Sequence, residues 1–217
     1  MKTIRSVVLY AAAFAAASML LTSCSDAPNP STASTAPATD AAKEPVKAPE
    51  PGTAKPVYWK MYKPIRDWSK DAIPLNMAGK EIPEMKSPGG GKEAAWAAVF
   101  VSPTQHQARV VTYSEVDSGK DIRKGVNIAP TMPWSGPTRT DQPFANAEFG
   151  VDSDAAYKTA AAKAEPWLKS HPNMKLAMHI AKSADYSSPV WVVQWGDKTN
   201  GFLALVNATN GDLISPR

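Results

Sequence analysis

Sulfur chemistry is almost closed to this chain, because its 217 residues hold one cysteine, Cys24. A lone thiol forms no intrachain disulfide and cannot build a zinc site on several thiolates. Histidine is nearly as scarce. Only His106, His171 and His179 are present, and none stands in a recognisable Ser, Cys or Gly-rich motif, so nucleophile systems lack a positioned base. A metal site from His171 and His179 would need carboxylates brought in by folding, and no metal is expected. Gly89-Gly90-Gly91-Lys92 lacks the spacing of a phosphate loop, so no cofactor is expected either. A strong charge of one sign is also missing: 24 Lys and Arg stand against 20 Asp and Glu, a net +4. The two signs are interspersed, whereas polyanion binding needs clustered basic side chains. The pattern reads as a solvated surface, with no nucleic-acid partner. Finally, the longest apolar run, residues 7–21, falls short of the roughly twenty residues a membrane-crossing helix needs.

What is present begins with that run. Lys2 and Arg5 precede it and small residues follow it, the charge, core and cleavage regions of an export signal. Two of the four net positive charges belong to this leader. Leu21-Thr22-Ser23-Cys24 resembles the lipobox of bacterial lipoproteins. The resemblance implies cleavage before Cys24, diacylglycerol on its sulfur, acylation of its new amine, and thus a membrane partner held through Cys24. Once Cys24 is lipidated no thiolate nucleophile remains. More than one acyl chain is needed for durable anchoring, and a lipoprotein carries several. Ser25, where an acidic residue would imply inner-membrane retention by the same resemblance, implies the outer membrane, facing the periplasm, in a two-membrane organism.

The organisation expected is therefore a leader over residues 1–23, a lipidated Cys24 with a tether to residue 56, and two folded units, 57–151 and 152–217. The tether is Pro, Ala, Ser and Thr with almost no large apolar side chain. Such a composition builds no core, and a Pro-rich spacer rises about 3.1 Å per residue where extended.

In the second unit Asp152-Ser153-Asp154 supplies helix-capping side chains ahead of residues 155–164. Tyr157, Ala160, Ala161, Ala164 and Leu168 recur at three-to-four spacing as one apolar stripe. Pro166 starts a new turn or kinks the helix. Leu176, Met178 and Ile180 alternate with less apolar neighbours as in a half-buried strand, which puts His179 on the outer face. Residues 190–195 and 202–208 flank a Gly-bounded polar loop and read as a hairpin. The order is helix, strand, strand, strand. The first unit repeats it faintly: a helix over residues 64–72 ended by Pro74, a strand over 80–85, and a hairpin of 96–101 with 107–113. Trp96 and Phe100 match Trp191 and Trp195 in spacing, and i and i+4 share a strand face. This points to an internal duplication.

The second unit resembles a PepSY-type domain, one helix on a three-stranded antiparallel sheet. The carrying residues are Asp152-Ser153-Asp154-Ala155-Ala156, Ser188-Pro189-Val190-Trp191-Val192-Val193 and the closing stretch 206–214, Asn207 standing where an acidic residue is frequent. The resemblance implies an α+β fold, in tandem if the first unit is a second copy. It also implies a non-catalytic module of the cell envelope, linked in some members to restraint of peptidases. These motifs mark a fold and no active site.

Trp96, Trp191 and Trp195 either line a groove or form the core; the core is favoured, because buried aromatics dominate the stability of small α+β units. Trp134 lies in the Pro- and Gly-rich stretch 130–143, as a lid pinned to the body or a contact residue. These four tryptophans are the candidate contacts. The function expected is an envelope interaction or ligand-binding module with a protein or peptide partner. The alternative is an envelope hydrolase or transferase using carboxylates such as Glu115, Asp117 or Asp141.

Overall fold

The computed structural model describes residues 48–214. Cys24, Leu21, Thr22 and Ser23, the leader and most of the tether lie outside the described residues. Helix α1 spans Ala54–Trp68, followed by strands β1 (Ile73–Lys80), β2 (Ala95–Ser102), β3 (Gln107–Ser114), β4 (Gly125–Ile128) and β5 (Met132–Pro133). A 3-10 turn at Asn146–Glu148 leads into α2 (Ser153–Ser170), then β6 (Leu176–Ala181), β7 (Val190–Trp195), β8 (Phe202–Asn207) and β9 (Leu213–Ile214). The nine strands form one sheet in the order β4-β3-β2-β1-β6-β7-β8-β9, with β5 added beside β3. Every pairing is antiparallel. The described residues are thus α+β, two helices on an antiparallel sheet.

The first helix differs from its sequence-based expectation. It occupies Ala54–Trp68 rather than 64–72, and residues 54–56, read as tether, form its first turn. Val57, Tyr58, Met61 and Ile65 are its buried stripe. Two prolines disguised it, yet Pro56 falls in the first turn, where the missing N–H has no intrahelical acceptor anyway. Pro74 does not end a helix but sits in β1, beside a register shift between Pro74 and Asn76; its carbonyl accepts from Phe144 N at 3.0 Å. The strand expected over 80–85 does not form: β1 lies before it and ends at Lys80, and residues 81–85 make a turn closed by an isolated bridge between Ile82 and Met85. The second half follows expectation: α2 buries Ala156, Ala160 and Ala164, and both hairpins form.

The main core lies between the helices and one sheet face. From that face come Met77, Trp96, Ala98, Phe100, Val111, Met178, Ile180, Trp191, Val193 and Trp195. The division of bulk is complementary. Alanines on α2 let it sit close to a sheet whose own tryptophans fill the space, while α1 brings Tyr58, Met61 and Ile65. With both helices on one side, alternation leaves Ala78, Ala97, His179 and Val192 on the other.

The two halves obey an approximate twofold relation whose centre is the paired residues Ala78 and His179. Trp96 and Trp191 meet edge to face beside it, centroids 6.3 Å apart. Each indole N–H donates to the carbonyl two residues before its own half's helix: Trp96 to Gly52 O at 3.0 Å and Trp191 to Val151 O at 2.9 Å. The helix starts are also joined. Asp152 Oδ1 accepts from Ser153 N at 2.7 Å and from Lys55 N at 2.8 Å, so one carboxylate caps both helices. Ser153 Oγ accepts from Ala54 N at 2.9 Å and donates to Gly91 O at 2.6 Å. A Cβ on Gly91 would lie 2.4 Å from Ser153 O, so only glycine admits this approach.

Candidate functional site

The twofold relation fails at one place. β1 and β6 pair over Asn76 with Ala181, Met77 with Ile180 and Ala78 with His179, and the ladder stops there. Beyond it Gly79 and Lys80 pair only with β2, and residues 176–178 only with β7. A hollow of about 210 Å³ opens in the central seam, lined by Gly79, Glu81, Glu93, Lys175, Leu176, Ala177 and Met178. Gly79 is the counterpart of Ile180, which is fully buried. Where one half has a packed isoleucine, the other has no side chain, and the space goes to Glu93: a Cβ on Gly79 would lie 2.7 Å from Glu93 Cγ.

Glu93 is only 5% exposed. Burial pushes its carboxyl above the usual carboxylate range, the Glu81 charge adds to this, and the Ser87 hydroxyl opposes it. At the mouth Lys175 Nζ pairs with Glu81 Oε2 at 2.6 Å, both side chains well exposed. Exposed pairs of this kind contribute little to stability and open readily. A second hollow of about 590 Å³ adjoins, lined by Glu81, Ile82, Pro83, Lys86 and Ser87. A buried carboxyl beside an opened strand pair can accept or donate a hydrogen bond to a group entering the seam.

The tryptophans expected as contacts are mostly elsewhere. Trp96 and Trp191 are fully buried and Trp195 nearly so; they form the core on the helix side and line no groove, which corrects their reading as contact residues. Trp134 is half-buried. It packs on the cluster of Leu75, Val101 and Ala108, and its backbone N–H donates to His106 O at 2.9 Å. The 130–143 stretch is therefore a strap pinned over one end of the outer sheet face.

The histidines are scattered: His106 at the β2–β3 turn with φ 53°, His171 stacked on Trp167 at 4.3 Å, His179 exposed at the seam. Among the described residues no three His, Cys, Asp or Glu side chains are grouped as metal ligands. The carboxylates considered for hydrolysis sit in separate turns. Glu115 accepts from Tyr113 Oη, Asp117 from Lys124 N, and Asp141 from Thr140 Oγ1. Asp152 and Asp154 cap α2. Sequence reasoning missed Glu93 and Gly79. The available signal was a glycine inside a strand, which often marks a close approach.

No protein-family model matches the chain, and no curated protein matches it. Among solved structures it is similar to the crystal structure of a candidate lipoprotein of Clostridium difficile 630, at 8% identity and a TM-score of 0.44, over 78% of this chain and 93% of that one.

Proposed function

We propose that this protein is a lipid-anchored, non-catalytic binding module of the cell envelope, and that the Glu93 seam is its recognition element. The carrying observation is the buried carboxyl of Glu93, held where the equivalent half packs an isoleucine. A buried ionisable group is costly to keep, and such groups concentrate at functional sites. The hollow at Glu93, about 210 Å³, is below the roughly 300–1,000 Å³ of small-molecule sites, while the adjoining hollow of about 590 Å³ at Glu81 gives room for what extends beyond it. It suits one side chain of a larger partner. A carboxyl facing it selects an ammonium group, so the partner offers a lysine side chain or an amino terminus.

The remainder of the reading rests on sequence. The lipobox supports palmitate-type acylation of Cys24, and Ser25 supports the outer membrane, facing the periplasm. The PepSY-like order of α2, β6, β7 and β8 supports restraint of an envelope peptidase as the partner's class. Among the described residues no helix is long and apolar enough to cross a membrane.

The test is a titration of unlipidated protein, residues 24–217 with Cys24→Ser, with the peptides Ala-Lys-Ala and Ala-Gln-Ala, followed by the amide signals of Gly79 and Ala177. The lysine peptide shifts these signals in the wild-type domain and not in Glu93→Gln. Equal response to both peptides, or an unchanged response in Glu93→Gln, refutes the site. Turnover of an envelope polymer by the purified domain would refute the non-catalytic reading.

A further inference from the structure

Helix α1 has an outer face that its role in the core does not explain. Trp59 is 49% exposed there, the most exposed tryptophan among the large hydrophobic residues at the surface. At 100° per residue, Lys55, Lys63 and Arg66 fall within about 40° of it and Lys60 lies at the margin. Asp67 is the one acidic residue on the helix, with none in the first turn. Lys60 is half exposed and reaches Tyr113 Oη at 2.7 Å; Arg66 leans on Tyr62 Oη at 3.1 Å; Lys55 reaches Gly150 O at 2.7 Å. Lys63 is exposed.

This charge does not serve the helix. A lysine in the first turn opposes the positive end of the macrodipole, and the cap that offsets it comes from Asp152 on the other half. Nor does Trp59 serve the core, since it only flanks Tyr58 and Tyr62 edge-on at 5.2 and 5.6 Å. The apolar face of α1 is buried in the core, so the helix can meet a membrane only by this outer face, with the Trp59 ring at headgroup level and the cations against anionic lipid.

We propose that the outer face of α1 is a second membrane contact, binding anionic phospholipid through Lys55, Trp59, Lys63 and Arg66. The helix begins about thirty residues after Cys24, close enough for an acylated anchor to make the contact intramolecular, so that a weak interaction suffices. The proposal rests on the lipid-anchored reading for its setting but not for the affinity itself.

The experiment uses unlipidated protein, residues 24–217 with Cys24→Ser, and sedimentation with sucrose-loaded vesicles. One set contains phosphatidylglycerol in phosphatidylcholine, the other phosphatidylcholine alone. Binding is expected only with phosphatidylglycerol and is weakened by salt, since screening acts on exposed charges. Each basic residue near an anionic surface is worth about fivefold in partitioning. Lys63→Glu with Arg66→Glu therefore lowers binding at least about 25-fold, and Trp59→Ser lowers it on phosphatidylglycerol vesicles even in high salt. Lys158→Glu with Lys169→Glu on α2, the same change in net charge elsewhere, leaves binding within about twofold. Equal binding to both vesicle sets, no binding, or an equal loss in the α2 variant overturns the proposal. Radiolabelled palmitate on the full precursor reports separately on Cys24: absence of label with vesicle binding retained defeats the anchor and spares the helix.

Discussion

Replacing Ser153 by alanine removes one oxygen and separates three segments at their meeting point. The side chain is fully buried. Its Oγ accepts from Ala54 N at 2.9 Å and donates to Gly91 O at 2.6 Å. Ala54 N is a first-turn amide with no intrahelical acceptor, and Gly91 O is enclosed by the same contact. In Ser153→Ala both groups lose their partner, at about 1–3 kcal/mol each for a buried unsatisfied group. We expect a loss of about 3 kcal/mol, measured by urea unfolding followed by tryptophan fluorescence. In a domain of this size each kcal/mol lowers Tm by about 2–4 °C, so a fall of roughly 6–12 °C should accompany it. Asp152→Ala should not add fully to Ser153→Ala, because both act on the start of α1 and neighbouring sites couple. The exposed Ser170, whose Oγ donates to Trp167 O at 2.9 Å, gives the comparison: Ser170→Ala should stay within about 0.5 kcal/mol. If Ser153→Ala also stayed within that range, the joint cap would contribute nothing measurable and the reasoning would fail.

Glu93 has a pH signature. Its carboxyl is raised in the folded state above an ordinary value near 4.5, so in that window the folded chain binds more protons than the unfolded one, and stability falls as pH rises. Unfolding of Glu93→Gln across pH 4 to 8 should lack this slope; parallel wild-type and variant profiles would contradict the shift. Trp191→Phe should cost about 1–3 kcal/mol, since it leaves Val151 O without its indole donor, and Trp96→Phe should cost less, because Gly52 O still accepts from Glu93 N at 3.0 Å. Denaturant unfolding should show the larger loss in Trp191→Phe, and a larger loss in Trp96→Phe would contradict this account. Trp134→Ala should cost about 2 kcal/mol, roughly half the value for a core aromatic, in keeping with its half-burial. Hydrogen exchange should show the 130–143 strap opening while β6 to β8 stay protected.

Legibility in the sequence followed how local each signal was. The second half could be read almost completely. Its helix carries capping side chains at the start and alanines at helical spacing, and its strands alternate between turn residues. The first half was harder because its signals conflict locally: Pro56 and Pro64 lie within a helix, Pro74 lies within a strand, and Gly79 and Ala78 hide the alternation of β1. Packing overrides each of these. The tyrosine, methionine and isoleucine on α1 have a sheet to bury against, and Pro74 falls where the ladder already shifts register. The matching Trp-aromatic pairs at 96 and 191 did point to the approximate twofold relation, but not to their indole N–H groups reaching back to the helix starts.

By itself, then, the amino-acid sequence determined the α+β class and carried the expectations of an export and lipidation signal and a spacer, all of which depend on composition or on residues within a few positions of one another. Only the tertiary structure decided that the two halves share one sheet, that Asp152 and Ser153 cap both helices, that Trp96, Trp191 and Trp195 are core, and that Glu93 occupies the room left by Gly79. Each of these joins residues far apart in the chain. No local pattern records such a pairing, because only the closing of the sheet and its core brings those residues within a few ångströms.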